Sequence, residues 1–263
     1  MNIVVCVKHV PDTEARITVA PDGKGIVEEG ITFVVNPYDE YAIEEALRIK
    51  ERVGGTVTVV GLGPERAKDA LRTALAMGCD EAVHLCDEAL AGGDAQAAAR
   101  ALAAALKGIP HDLVLCGKQA VDDDSAQVGP ALAELLGLPQ VTVVTKLDID
   151  ESGKCARARR EMDGFAEVVS TPLPAVITAQ KGLNEPRFPS LPGIMKAKRK
   201  EMKVLTAAGL GLDAGQVGAA GSPTTVLAMS VPSRARRKCM VEGEPPDAAS
   251  KLAGLLRTEA KVI

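Results

Sequence analysis

The sequence has no tryptophan, two tyrosines and three phenylalanines among 263 residues. With aromatics at 2 %, Ala, Val and Leu must fill the core, which suits closely packed βαβ layers. The same scarcity excludes nucleic-acid readout by base stacking, which needs exposed rings. Excess positive charge is missing too. The net charge is −4, the wrong sign for a chain that grips phosphate backbones, so no nucleic-acid partner is expected. No two of the six cysteines form a CxxC pair, and most lie in apolar runs. His9, His84 and His111 share no ligand spacing. Reduced, buried thiols and no metal site are expected. No apolar run reaches membrane-spanning length, so no direct membrane insertion is expected. No basic region, apolar stretch and cleavage site open the chain. These absences point to a soluble protein of the cytoplasm. A Walker P-loop is absent, as is any internal repeat.

What is present is alternation. Asn2 to Val7 is short, β-branched and apolar on both faces, as a central parallel strand should be. Pro21-Asp22-Gly23 marks a turn inside Ile17 to Thr32, read as a hairpin excursion. Asn36-Pro37-Tyr38-Asp39 opens a helix, with Asn at the cap and Pro at the first helical position. Ala42, Ala46, Ile49 and Val53 form its buried stripe. Thr56 to Val60 is a strand, and Gly61-Leu62-Gly63-Pro64 turns into a helix whose inner face is Ala67, Ala70, Ala74 and Met77. Gly61 and Gly63 resemble half of a dinucleotide fingerprint, but Arg66 stands where the third glycine belongs, and a tight strand-to-helix turn is the better reading of these glycines taken alone. Glu81 to Leu85 is a strand, Asp94 to Lys107 an alanine-rich helix, and Leu113 to Cys116 a further buried strand. Such alternation marks an α/β fold with a doubly wound, mostly parallel sheet.

Beyond Pro139 the period changes to two. Val141 to Ile149, Cys155 to Met162 and Phe165 to Val169 form a β-meander insertion, with turns at Glu151-Ser152-Gly153 and Asp163-Gly164. Its middle strand puts Ala156 and Ala158 on one face and Arg157 and Arg159 on the other. Leu173 to Thr178 returns to an apolar strand. Leu183 to Pro192 carries three prolines and reads as stiff, extended chain, followed by the basic run Lys196 to Lys200. Gly209 to Gly221 reads as a Gly/Ala linker. An extended C-terminal arm ends in a basic run, Arg234 to Lys238, and a short helix with Leu252, Leu255 and Leu256.

The stretch from Gly117 to Val128 organises the rest. It leaves a buried strand and enters a helix, the usual mouth of an open α/β sheet, where ligands meet free helix N–H groups. A capped loop with a solvated acidic run is the plainer alternative. Gly129-Pro130 is awkward inside a helix, which therefore starts near Val128 or is kinked.

Several stretches in one order resemble the β subunit of electron transfer flavoproteins. They are Asn36-Pro37-Tyr38-Asp39 with Glu44-Glu45-Ala46, Arg72 to Gly78, Gly117 to Gln127, Arg160 to Gly164 through Pro174 to Thr178, and Leu183-Asn184-Glu185-Pro186-Arg187 running to Lys198. The resemblance implies an adenine-nucleotide-binding α/β domain over residues 1–182, a partner recognition loop and basic segment over 183–200, and a C-terminal arm over 201–263 that packs on the partner subunit. It implies a heterodimer with an α subunit that holds most of the FAD, AMP bound structurally in the β subunit, docking on flavin-dependent dehydrogenases, and no bond-making chemistry in this chain. The nucleotide pocket falls on Cys6; on Asn36, Pro37, Tyr38 and Asp39; on Leu62 and Gly63; and on Gly117, Lys118, Gln119, Ala120, Val121, Asp122, Asp123, Asp124, Ser125, Ala126, Gln127 and Val128. Cys6 taken alone would be a core thiol, and Asn36 and Asp39 are also explained as helix capping. Three aspartates repel a phosphate, so they are expected to cap the helix or bond ribose hydroxyls. The recognition loop falls on Leu183, Asn184, Glu185, Pro186 and Arg187, with Leu191 as its apolar anchor.

Some members of this family bind a second FAD in place of AMP and bifurcate electrons. In those an Asp-Thr-x-Ala-Thr pattern is expected where this chain reads Asp94-Ala95-Gln96-Ala97-Ala98. Both hydroxyls are missing, which favours AMP. The tail, Gly221 to Thr224 and Glu242 to Glu244, looks more like anaerobe members, where bifurcation occurs. An ATP-pyrophosphatase relative needs a Ser-Gly-Gly-x-Asp-Ser loop, and Gly92-Gly93-Asp94 lacks the serines. A stand-alone nucleotide-binding module of the stress-protein type does not suit the long tail.

Overall fold

A computed structural model describes residues 1–150, 152, 154–232 and 238–263. The chain begins with β1 (Asn2–Val7), then pairs β2 (His9–Pro11) against β3 (Phe33–Val35) in a small antiparallel ribbon. It continues through α1 (Pro37–Val53), β4 (Thr56–Leu62), α2 (Lys68–Met77), β5 (Glu81–Leu85), α3 (Ala95–Leu106), β6 (Leu113–Gly117) and α4 (Val128–Leu136). The meander is β7 (Gln140–Ile149), β8 (Cys155–Met162) and β9 (Phe165–Pro172). β10 (Ala175–Ala179), α5 (Leu191–Arg199), β11 (Lys203–Leu205) and α6 (Pro245–Leu255) complete it.

Among the described residues the main sheet runs β11-β5-β4-β1-β6-β10-β7-β8-β9. Pairing is parallel as far as β7 and antiparallel for β8 and β9. The pleat sorts the core into two layers. Ile3, Val5, Val57, Val59 and Leu115 pack under α1 and α2. Val4, Cys6, Val60, Val114 and Cys116 pack under α3 and α4. Alternate residues of one strand serve opposite layers, and for this reason these strands read as unbroken apolar runs. Ala97, Ala101 and Ala105 let α3 lie close to the sheet without large side chains.

The order of connections positions the site. From β1 the chain steps outward through β4 to β5, then crosses back over β1 to form β6. The carboxyl ends of β1 and β6 therefore diverge at a topological switch point, where open α/β sheets place ligands.

The meander is as expected. Ala156 and Ala158 are fully buried and Arg157 and Arg159 exposed. The turn residues Glu151 and Gly153 and the basic run from Arg234 to Arg237 lie outside the described residues. The hairpin excursion reduces to one bridge, Val19 with Ile26.

Three segments depart from the sequence reading. Leu191 to Arg199 is helical rather than extended, because Ser190 accepts from the Gly193 N–H and Pro192 sits in the first turn, which tolerates it. Lys203–Leu205 adds an edge strand to β5. The Gly/Ala stretch from 209 to 221 is no linker. Val217 is fully buried, Leu210 and Leu212 pack on the α3 layer, and Arg100 donates to the carbonyls of Gln216 (3.1 Å) and Gly221 (3.0 Å). Beyond it Val226, Leu227, Val231 and Met240 are exposed, as is Leu252 on α6.

This packing separates two truncations. A chain ended after Thr224 keeps β11 and Val217 and should hold the parent melting temperature within about 2 °C. A chain ended after Lys200 loses the cover of one core layer and should melt at least about 10 °C lower or fail to fold. Circular dichroism melts of the two would decide.

Candidate functional site

The carboxyl ends of β1 and β6 are tied together by one side chain. Asp39, in the first turn of α1, accepts from the backbone N–H of Lys8 (2.7 Å) and of Gly117 (3.0 Å). The fit allows no larger residue at 117, where a Cβ would stand 2.3 Å from the Asp39 Oδ1. Asp39 is 5 % exposed, and burial pushes its carboxyl up to about 7 despite these N–H donors.

Asn36 does related work one residue outside the same helix. It occupies the N-cap position, yet its side chain makes no capping bond. Its Nδ2 donates to the Gln119 carbonyl (2.9 Å), and its Oδ1 accepts from the Val121 N–H (3.1 Å). The capping explanation of Asn36 and Asp39 is thereby corrected. Both side chains fasten the loop from Gly117 to Val128 instead.

The acidic run is held from within the chain. Lys8 Nζ pairs with Asp122 (2.7 Å) and Asp123 (3.0 Å). Asp123 also accepts from the Ser125 N–H, and Gln119 Nε2 donates to Asp124 (2.6 Å). None of the three aspartates caps α4, contrary to one of the two expectations for them. Asp124 and Ala126 sit at φ +50° and +53°, a conformation that costs a non-glycine residue energy and persists only where neighbours impose it.

What remains open is the start of α4. It begins at Val128, so Pro130 falls inside its first turn and the awkward Gly129-Pro130 pair needs no kink. Gly129 is required there, since a Cβ would lie 2.6 Å from Thr178 Cγ2 on β10. No side chain caps this helix. The start of α3 is different. Asp94 accepts from the N–H groups of Gln96 and Ala97, and from Thr224 through its N–H and hydroxyl. One helix N-terminus at this edge is closed by its own chain, and another is available to an anion.

Other expected pocket residues border this mouth. Cys6 and Cys116 are register partners on β1 and β6. A thiol hydrogen bond with Cys6, together with burial, pushes the Cys116 thiol well up. Lys118 Nζ stands 5.4 Å from the centre of the Tyr38 ring. Pro37 supplies the first residue of α1, Leu62 ends β4 and Gly63 follows it. Three further residues were not singled out from the sequence. Lys8 pairs with two of the three aspartates of the acidic loop. His9 and Arg66 each bury a nitrogen, Nδ1 and Nε, with no partner. A lysine directly after a central strand was the one available signal for Lys8.

The recognition-loop residues divide into two kinds. Asn184 is buried, donating to the Tyr41 carbonyl (3.0 Å) and to Glu45 (3.0 Å). Arg187 pairs with Glu44 (2.7 Å) and Glu51 (2.5 Å) on α1. Burial alone would raise the Glu44 carboxyl, but the hydrogen bonds of Arg187 and Arg48 hold it below its ordinary value. Leu183 packs against the core, and the Glu185 carbonyl accepts from Arg48 (3.2 Å). These residues anchor the loop, with Pro186 between them. Phe188 and Leu191 are displayed, at 95 % and 80 % exposure, beside Met195 on α5.

The raised Asp39 carboxyl has a signed consequence. Between the ordinary carboxylate range and about pH 7 the folded chain binds one more proton at Asp39 than the unfolded chain. Its contribution therefore favours the fold at low pH and is lost as pH rises through that window. Asp39→Asn removes this dependence and leaves one N–H facing an amide donor, at a cost of about 1–3 kcal/mol. Urea unfolding should show a larger gap between parent and variant at pH 5 than at pH 8.

Comparison with known proteins agrees with this geometry. Residues 24–210 match the family model described as the electron transfer flavoprotein domain. The chain is 46 % identical over 259 residues to the electron transfer flavoprotein subunit beta of Thermoanaerobacterium thermosaccharolyticum, covering 98 % of each chain. It is 46 % identical over 264 residues to the protein of that name in Bacillus subtilis, covering all of both. It is 40 % identical over 254 residues to protein FixA of Azotobacter vinelandii, covering 94 % of this chain and 90 % of that one. A match of this extent makes the chain a member of the electron transfer flavoprotein family, on its β-subunit branch.

Proposed function

We propose that this chain pairs with an electron transfer flavoprotein α subunit, binds AMP at the switch-point pocket, and shuttles electrons between flavin-dependent dehydrogenases and an acceptor in the cytoplasm. The FAD that carries the electrons is held mainly by the α subunit. This chain makes and breaks no bonds itself. The full-length similarity to proteins named as β subunits carries the reading. No helix among the described residues is long and apolar enough to cross a membrane, in keeping with it.

The choice of AMP rests on the two helix starts. The uncapped N-terminus of α4 suits one phosphate, beside a loop two of whose three aspartates are paired with Lys8. A second phosphate would look to α3, whose first N–H groups Asp94 occupies and whose Ala95 and Ala98 offer no hydroxyl. The free carboxylate oxygens of the acidic loop suit ribose hydroxyls. The buried Arg66 Nε is a further donor without a partner.

Heat release and counting of nucleotides from the co-expressed heterodimer tests this directly. One FAD and one AMP per pair is the expected result. Two FAD and no AMP would assign the pocket to a second flavin and open bifurcation, and neither nucleotide with no α subunit retained would overturn the reading.

Residues 183–200 are proposed as the dehydrogenase-docking element, with Phe188 and Leu191 as contacts and Asn184 and Arg187 as anchors. A leucine on anchored chain loses little entropy on docking. Leu191→Ala should slow electron transfer from a cognate dehydrogenase roughly tenfold or more while leaving melting temperature and nucleotide content unchanged. Arg187→Ala should slow it too, and lower the melting temperature by several degrees, about 2 kcal/mol, because Glu51 loses its partner and buried Glu44 is left with Arg48 alone. Equal rates for Leu191→Ala and the parent would remove the docking role.

A further inference from the structure

The carboxyl ends of β4 and β5 bring together three metal-ligating side chains that the nucleotide pocket does not use. A ring nitrogen of His84, the Cys86 sulfur and a Glu65 carboxylate oxygen lie within 4.8 Å of one another. His84 is the penultimate residue of β5 and Cys86 follows its end, and this two-residue spacing points both side chains to one side of the sheet. Glu65 comes from the turn that leaves β4. We propose that Glu65, His84 and Cys86 form a binding site for a borderline-soft divalent cation, of which zinc is the type, with water in the fourth position.

The mixed donor set is the first argument. A thiolate, an imidazole and a carboxylate are the ligands zinc accepts, and three protein ligands plus water is a usual number. The second argument is the orientation of the histidine. Its Nε2 lies 3.1 Å from the Gly63 carbonyl, which can only accept, so Nε2 carries the hydrogen and Nδ1 keeps its lone pair. Metal-binding imidazoles are held in this way, by a second hydrogen bond to a carbonyl that fixes ring and tautomer. His84 is 1 % exposed, so its ring cannot turn away to solvent.

On coordination the Cys86 S–H proton leaves to solvent as the S–metal bond forms. Asp87 is not a ligand, because its oxygens accept from the Ala89 and Ala207 N–H groups. Lys68 now pairs with Glu65, an exposed pair of a kind that holds weakly and yields to a doubly charged ion. Tetrahedral ligands around zinc stand about 3.5 Å apart, so the donors must close by about 1 Å. Glu65, on the outer surface, has the freedom to do so.

Cobalt(II) titration of the untagged, reduced full-length chain in its purified heterodimer tests the site, followed by zinc competition. One cobalt per chain, with a thiolate-to-cobalt absorption band in the near ultraviolet that zinc abolishes, is expected. Cys86→Ser should lose the band, and Cys155→Ser and Cys239→Ser should keep it. Glu65→Gln, a surface change that leaves the fold intact, should keep the band and weaken zinc binding at least tenfold. No saturable thiolate band in the parent, or a band undiminished in Cys86→Ser, would overturn the proposal, as would parental zinc affinity in Glu65→Gln.

Discussion

The structure turns on a buried carboxylate that joins two strand ends. Parallel strands at a switch point diverge, because their following segments leave in opposite directions. Asp39 counters this by accepting one N–H from each. Such bonds to a charged or shared-proton acceptor are worth about 1.5–3 kcal/mol each, against a burial cost of similar size. The net effect is therefore small in stability and large in geometry. With the ends of β1 and β6 fixed, Asn36 can reach two backbone groups of the following loop, and Lys8 can reach its aspartates. Two residues of the loop then sit at positive φ without being glycine. The loop is held open beside α4 by bonds from elsewhere in the chain.

That arrangement divides labour between two helix starts on one edge. At α3 the chain satisfies its own N–H groups through Asp94, and Thr224 from the tail closes over that carboxylate. At α4 no side chain does the same. The tail thus packs on the α/β domain as far as Thr224, and beyond it Val226, Leu227, Val231 and Met240 are exposed.

Much of this was legible in the sequence. Central strands announced themselves because burial on both faces demands unbroken Val, Ile and Leu. The meander was legible because period two with a turn at Asp163-Gly164 has few other solutions. The expected pocket segments came from the resemblance, and the structure brings Asn36, Asp39 and the Gly117 loop together. What was hidden is what distance in sequence hides. Asn36 and Asp39 look like caps, and their true partners lie 31 to 85 residues away. β11 is three residues long and takes its form from β5 alone. The stretch around Val217 has a linker's composition, and is fixed by Arg100, 116 residues earlier. The helix at Leu191 was masked by its prolines, which a first turn accepts. Glu65, His84 and Cys86 share no motif spacing and meet only because β4 and β5 are neighbours.

Helix α1 has a consequence of its own. Its seventeen residues form a rod of about 25 Å. Asp39 stands at the pocket end, and Glu44, Glu45 and Glu51 hold the displayed loop along the same rod. The register between them is counted in residues. One residue inserted between Asp39 and Glu44 would swing the glutamates by about 100° around the axis, away from Arg187 and Asn184. Side chains along this rod can be exchanged, but its length and phase cannot drift. Pocket and loop must therefore be inherited as one unit.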